Sequence, residues 1–215
     1  MYCVGIDVGG TYTDLVAIDD AGRVTLSKEP STPQDQSIGV MNGLGQVAKL
    51  LGLTLEELLQ QTERIVHGTT AATNALLERK GAKVGLLTTA GHRDVLEMRE
   101  GLKPERYNLR LARPQALVPR HLRLGVRERL RPDGSVEQPL DQASLDDAIT
   151  VLKQAEVTAV AVCYLHSYRD DRHECITREA LAQALPEAHV CLSSEVLPQI
   201  KEYERVSTTV VNAYV

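Results

Sequence analysis

Two hydrophobic periods divide this chain. Residues 2–8 (Tyr-Cys-Val-Gly-Ile-Asp-Val) form an apolar run that enters a Gly-Gly-Thr turn, and residues 12–18 leave it as a second run. With residues 23–28 they predict three short strands in series, the second turn being Asp19-Asp20-Ala21-Gly22. Helical spacing follows over 34–51. Thr54, with Glu56 and Glu57 behind it, predicts a second helix capped at its start and running to Gln61. Residues 64–67 predict a strand ending at Gly68-Thr69-Thr70, residues 71–80 a helix stopped by Gly81, and 82–88 the next strand. Strands in series, then a strand–helix–strand alternation, predict an α/β fold: a mixed sheet with helices on its faces.

Periodicity fails over 99–131, where Gly101, Pro104, Pro114 and Pro119 interrupt it. A second, smaller α/β unit is predicted beyond. Residues 123–130 alternate like an edge strand, and Pro132-Asp133-Gly134-Ser135 is a turn. Helices at 144–156 and 171–185 bracket a nearly all-apolar strand at 158–166, and 189–193 is a further strand. From Pro198 the chain is helix-like, with Val206, Val210, Val211 and Tyr214 forming an apolar face. That face is expected to lie exposed or to self-associate, awaiting further chain. The expected organisation is 1–98, a basic connector at 99–131, and 132–215.

Composition narrows the possibilities. Hydrophobic residues make up 43% and charged ones 25%, ordinary values for a soluble globular protein, and the net charge of −5 argues against general attraction to nucleic acid. No apolar run approaches the roughly 20 residues needed to span a bilayer, and the start lacks the basic flank of a signal peptide. A cytoplasmic location is therefore expected. Cys3, Cys163 and Cys191 lie in apolar runs and Cys175 has no Cys-x-x-Cys partner, so reduced core cysteines are expected. Charge is unevenly spread. Residues 99–131 hold ten Lys or Arg (Arg99, Lys103, Arg106, Arg110, Arg113, Arg120, Arg123, Arg127, Arg129, Arg131) against three Glu. Such a stretch either holds an anionic substrate, docks an acidic partner, or pairs with the acidic remainder of the chain. Nucleic acid is disfavoured, since only Tyr107 is there to stack on a base.

Candidate chemistry sits in two turns. Asp7, Gly9, Gly10, Thr11, Thr13 and Asp14 suit a phosphate loop. Glycines let a phosphate approach the backbone N–H groups, the threonines add hydroxyl donors, and Asp7 can hold a magnesium ion through its water shell. An ordinary hairpin is the alternative. What favours phosphate is an aspartate at the end of a strand expected to be buried, where a carboxylate is costly without a cation or donors. In the second turn, Gly68, Thr69 and Thr70 precede a helix whose N-terminus attracts anions, with Asn74 one turn in. The alternative there is simple helix capping, and both roles are compatible. His67 is a candidate proton shuttle, or a structural hydrogen-bonder. His166, His173 and His189 lack partners at metal-ligand spacing, and Ser193-Ser194-Glu195 lacks the glycines of a nucleophile elbow.

The block Gly-Ile-Asp-Val-Gly-Gly-Thr-Tyr-Thr-Asp at 5–14 resembles the first phosphate motif of the actin-like ATPase superfamily, whose fold is ribonuclease H-like. With 65–81 (Ile-Val-His-Gly-Thr-Thr-Ala-Ala-Thr-Asn-Ala-Leu-Leu-Glu-Arg-Lys-Gly), 91–97, 163–168 and 202–215, the chain is similar to the N-terminal region of the hydantoinase/oxoprolinase family. Tyr12, His92 and Tyr164 stand where that pattern leads one to expect phenylalanine, and the chain contains none. The resemblance implies ATP and Mg²⁺ as cofactors. It also implies phosphoryl transfer to a small-molecule substrate, with Asp7, Asp14 and His67 at the chemistry. The substrate would be a cyclic amide that is hydrolysed or, in relatives of the ketone carboxylases, a ketone. A non-catalytic assembly domain keeping the fold is the rival reading. There is no second phosphate turn and no adenosine-pocket signature, so a C-terminal domain beyond residue 215, and a second subunit in a homo- or hetero-oligomer, are expected.

Overall fold

The computed structural model describes residues 1–101, 105–112 and 115–215. Lys103 and Arg113 of the basic stretch, with Pro104 and Pro114, lie outside the described residues. The chain forms two compact units, Met1–Arg79 and Lys80–Val215.

The first unit is a four-stranded sheet in the order β3-β2-β1-β4. Its strands are β1 (Tyr2–Val8), β2 (Tyr12–Asp19), β3 (Val24–Pro30) and β4 (Thr62–Thr69). β1 and β2, and β2 and β3, pair antiparallel, whereas β4 runs parallel to β1. Helices α1 (Gln36–Leu51), α2 (Leu55–Gln60) and α3 (Ala71–Glu78) complete the unit. Strand alternation sends Val4, Ile6, Val8, Leu15 and Ala17 to one face, where Leu44, Val47 and Ala48 of α1 and Leu58 of α2 cover them. Each Val, Leu or Ile among them contributes about 1.5–3 kcal/mol by leaving water. Gly43 permits the close approach of α1, because a Cβ there would collide with the Leu15 side chain. The cap expected at Thr54 is a full capping box, Glu57 N–H donating to the Thr54 hydroxyl and Thr54 N–H to the Glu57 carboxylate. α3 ends at Arg79, in the left-handed region at φ 57°, two residues ahead of the glycine expected to stop it.

The same alternation corrects two expectations. Cys3 and Asp7 are out of phase with Val4, Ile6 and Val8, so both project from the opposite, open face and are exposed. Cys3 is not a core cysteine, and the Asp7 carboxylate is not buried.

The second unit contains a parallel sheet, β10-β9-β5-β6. Its strands are β5 (Val84–Thr89), β6 (Arg123–Val126), β9 (Ala159–Cys163) and β10 (His189–Leu192), and β7 (Arg129–Leu130) pairs with β8 (Val136–Gln138) in a separate hairpin. β5 and β9 are buried along their whole length, as their unbroken apolar runs require. The helices are α4 (Val95–Met98), α5 (Gln142–Gln154), α6 (Arg172–Ala184), α7 (Ser193–Val196) and α8 (Glu202–Tyr214). The unit differs from the expected division at 98 and 131. β5 joins this sheet rather than that of β4, and at 80–215 this unit is the longer one. Much of the expected connector is likewise built in, for β6 and β7 come from it. Arg123 is buried, with Nε donating to the Val118 carbonyl at 2.8 Å and Nη2 lying 3.3 Å from Glu97. The expectation of an exposed tail is also corrected. Val206, Val210, Ala213 and Tyr214 are buried within the unit because α8 turns its apolar face toward β9, β10 and β5.

Candidate functional site

The open face of the first sheet carries the site. Strand registers place Lys28 opposite Asp14, Asp14 opposite Asp7, and Asp7 opposite Gly68, so the four form one row across β3, β2, β1 and β4. Residues paired in register leave a sheet on the same face. The row lines a groove of about 540 Å³ with Gly5, Val16, Leu26 and Val66. Lys28 Nζ lies 2.8 Å from Asp14 Oδ1 and 5.1 Å from the centre of the Tyr12 ring. Asp7 is exposed and makes no hydrogen bond or ion pair among the described residues, so its carboxylate is available to a ligand.

The glycine turn lies at one end of this row. Gly9 N–H donates to the Tyr12 carbonyl at 3.0 Å, closing the turn, while the N–H groups of Gly10 and Thr11 have no partner among the described residues. Neither Gly9 nor Gly10 has a positive φ, so the turn does not use the left-handed region. They are required by proximity instead. A Cβ on Gly9 would sit 2.9 Å from the Tyr12 carbonyl oxygen, and one on Gly10 2.9 Å from Asn74 Nδ2. Thr11 is exposed at the tip.

Thr13 is different. It pairs with Val8, is 0% exposed, and shares a hydrogen bond of 3.1 Å with the Ser31 hydroxyl, which itself donates to the Gly9 carbonyl at 2.7 Å. Its hydroxyl therefore braces the turn from the core side and is not brought to the groove. His67 also parts from the row. It pairs with Ile6, one position out of phase with Asp7 and Gly68, and so projects from the other face. The expected catalytic role beside Asp7 has no geometric support.

The second turn meets the first. Thr69 donates from Oγ1 to the Val8 carbonyl at 3.3 Å and accepts from Ala71 N–H at 3.2 Å, and Thr70 N–H also donates to Val8. Asn74 Nδ2 donates to Thr70 Oγ1 at 3.3 Å. Thr70, the N-cap of α3, makes no side-chain cap bond, but Thr69 takes the Ala71 N–H and ties the start of the helix to β1, which brings Asn74 over Gly10. Gly68 leaves Asp7 uncovered, the nearest atom to a Cβ there being Asp7 Oδ1 at 3.9 Å.

These residues fit a magnesium–nucleotide. Two exposed carboxylates face one groove, and two unbonded N–H groups sit in a glycine turn beside a helix start. No cluster of three or more metal-ligating side chains occurs among the described residues.

The second unit holds polar groups that spacing did not reveal. Buried Glu128 accepts from the Thr89 hydroxyl and pairs with His173 Nδ1 at 2.8 Å. Glu174 accepts from Tyr164 N–H and from both the Ser193 and Ser194 hydroxyls. Arg205 Nη1 donates to Ser167 and its Nη2 to the Tyr164 carbonyl. His173 and Glu174 are adjacent in sequence, but their partners lie 45 and 19 residues away, and only the fold brings them together.

Known proteins resemble the chain in sequence and fold. The chain is 46% identical to caprolactamase subunit alpha of Pseudomonas jessenii, over 99% of this chain and 31% of that protein. The ATP-dependent caprolactamase crystal structure from the same organism superimposes with a TM-score of 0.88, over 100% of this chain and 31% of that one. Identity to the acetophenone carboxylase gamma subunit of Aromatoleum aromaticum is 38%, over 98% of this chain and 30% of that one. The nucleotide-free acetone carboxylase structure matches with a TM-score of 0.88 at 30% identity, over 100% of this chain and 32% of that one. The chain thus spans about a third of the length of these relatives, and its mixed and parallel sheets have the actin-like ATPase type of fold seen in them. The profile of the hydantoinase/oxoprolinase N-terminal region matches residues 3–185, and the chain belongs to that family.

Proposed function

We propose that this chain acts as the N-terminal, nucleotide-handling part of an ATP-dependent enzyme that activates a cyclic amide by phosphoryl transfer and hydrolyses it. The observation that carries the reading is the Lys28–Asp14–Asp7–Gly68 row beside the unbonded N–H groups of Gly10 and Thr11. ATP with Mg²⁺ would supply the phosphoryl group that turns a poor leaving oxygen into a good one. Asp7 orients the waters of the ion, and Asp14, held by Lys28, sets the charge of the groove floor. Gly10 and Thr11 N–H groups bind phosphate oxygens, and Asn74 packs over the turn. Thr13 and Thr69 fix both turns to β1 and the residue-31 segment, holding the donors in place before ligand arrives.

Hydrolysis of a lactam is preferred because the 46% identical relative is a caprolactamase subunit. Ketone carboxylation is the second reading, favoured by the acetophenone and acetone carboxylase subunits at 38% and 31% identity. Each of these relatives is a subunit, and we place this chain in a similar assembly in the cytoplasm, with further domains completing the nucleotide cleft. No helix among the described residues is long and apolar enough to cross a membrane.

The test is ATP turnover by the complete enzyme with lactams, oxoproline and hydantoins, and separately with acetone or acetophenone plus bicarbonate. Stimulation by cyclic amides supports the first reading and stimulation by ketones the second. Turnover unaffected by either class refutes both.

A further inference from the structure

The arginines of the basic stretch have separate fates. Arg120 pairs with Asp94 at 2.9 Å, Arg127 with Asp141 at 2.6 Å, Arg131 with Glu137 at 3.7 Å, and buried Arg123 lies 3.3 Å from Glu97. Arg106 and Arg110 are exposed to solvent. Arg129 alone among the described arginines of 120–131 has no carboxylate partner, and it is half-buried. Its Nη1 instead faces His92 Nε2 at 3.2 Å.

That choice of partner has a consequence for charge. A guanidinium only donates, so Nε2 accepts and the imidazole is neutral with its proton on Nδ1. Burial, and then Arg129 itself, hold His92 below the ordinary imidazole range, which keeps the acceptor unprotonated near neutral pH. A carboxylate partner would cancel the arginine's charge. A neutral imidazole orients the guanidinium and leaves it without a direct ion-pair partner.

Arg129 lines a cleft of about 230 Å³ with Thr89, Ala90, Arg127, Glu128, Glu137 and Gln138. The other charged side chains in it already have partners. Glu128 takes its hydrogen bonds from Thr89 and His173, Arg127 pairs with Asp141, and Glu137 with Arg131. The volume admits a small organic molecule only. A planar carboxylate fits the two parallel N–H bonds of a guanidinium. A dianionic phosphate lacks that planar match and would bring a second negative charge beside the Glu128 and Glu137 carboxylates.

We propose that this cleft in the second unit binds a small monocarboxylate through Arg129, with His92 as the residue that positions the guanidinium. The site is independent of the nucleotide groove on the first sheet, and it stands or falls without that reading.

Acetate and inorganic phosphate serve as probes, titrated into the full chain at constant ionic strength with chloride as the filler. Amide chemical shifts of residues 89–92 and 127–138 report binding. Acetate is expected to saturate in the millimolar range and to bind more tightly than phosphate. In Arg129→Gln the acetate affinity should fall at least ~tenfold, the scale of a lost charge-assisted pair. Arg129→Lys keeps the cation without the fork and should weaken binding several-fold, so it carries the test if the glutamine variant fails to fold. His92→Phe removes the acceptor but not the charge, and should weaken acetate less than Arg129→Gln does. Three results overturn the proposal: no saturable shift in the unmodified chain, tighter binding of phosphate than of acetate, or unchanged acetate affinity in a folded Arg129 variant.

Discussion

Replacing Asp7 with Asn separates chemistry from folding. The carboxylate is exposed and makes no hydrogen bond or ion pair among the described residues, so the amide loses no internal partner. Its cross-strand neighbour is Asp14, a like charge directly opposite. Cross-strand pairs are worth about 0.2–1 kcal/mol and like charges directly opposite are destabilising, so Asp7→Asn should leave stability unchanged or raise it by a fraction of a kcal/mol. A group that orients the waters of a metal ion is worth about 10–100-fold in metal affinity or activity when removed. The expected outcome is thus a melting temperature at or slightly above that of the parent, with ATP turnover of the complete enzyme reduced by about that factor. Phosphate release measured over a Mg²⁺ series, beside a thermal melt of the same preparation, reads both quantities. Full turnover in Asp7→Asn would refute the metal assignment. A lowered melting temperature would refute the claim that Asp7 has no structural role.

Other substitutions probe the same geometry. Thr13→Val removes a buried hydroxyl but leaves Ser31 donating to Gly9, so about 0.5–1.5 kcal/mol of stability should be lost in a denaturant titration, with nucleotide affinity of the complete enzyme changed less than in Asp7→Asn. Gly9→Ala drives a methyl against the Tyr12 carbonyl and should destabilise the first unit more than Gly10→Ala, whose methyl meets the movable end of Asn74; equal melting temperatures would contradict this. For His92, the unfolded chain takes up a proton near pH 6.5 and the folded chain only at lower pH, so the penalty is absent above that value and grows as pH falls through it. His92→Gln should therefore flatten the fall in stability between about pH 7 and pH 5, as measured by melts across that range. Native alkylation at pH 8 should label exposed Cys3 and spare Cys163, whose thiol burial pushes up to about 12; mass spectrometry of the labelled peptides reads the order.

The elements of this fold were legible where one period ran without interruption. The strands at 2–8, 12–19 and 159–163 and the helices at 36–51, 142–154 and 172–184 follow from alternation, all-apolar runs and helical spacing. Partner choice was not legible. Nothing local tells β5 to pair with β9, some seventy residues on, rather than with nearby β4, because both are parallel-strand candidates of similar length and only side-chain packing across the sheet decides. The basic stretch was legible in part, since Arg120, Arg127 and Arg131 pair with carboxylates as one of its readings expected. Arg123 reads as a solvated charge, yet its guanidinium finds Val118, Glu97 and Asp94 around it and is buried.

The candidate site shows which part of a motif sequence can assign. Residue types at 7–14 and 67–74 named the two turns that the fold brings together, but not the direction of each side chain. In a strand that direction alternates with every residue, and a reading that treats 2–8 as one buried run places Asp7 on the wrong side of the sheet. The inference to a ligand survives this correction on a different ground. A buried aspartate would have needed a cation to exist at all. An exposed one, set opposite a second aspartate and a glycine with no partner of its own, needs no ion to fold, and so its charge is free to select one. The same reasoning removes Thr13 and His67 from the groove. Thr13 is in phase with Val8 and His67 with Ile6, so the register that presents Asp7 to a ligand turns both of them away from it.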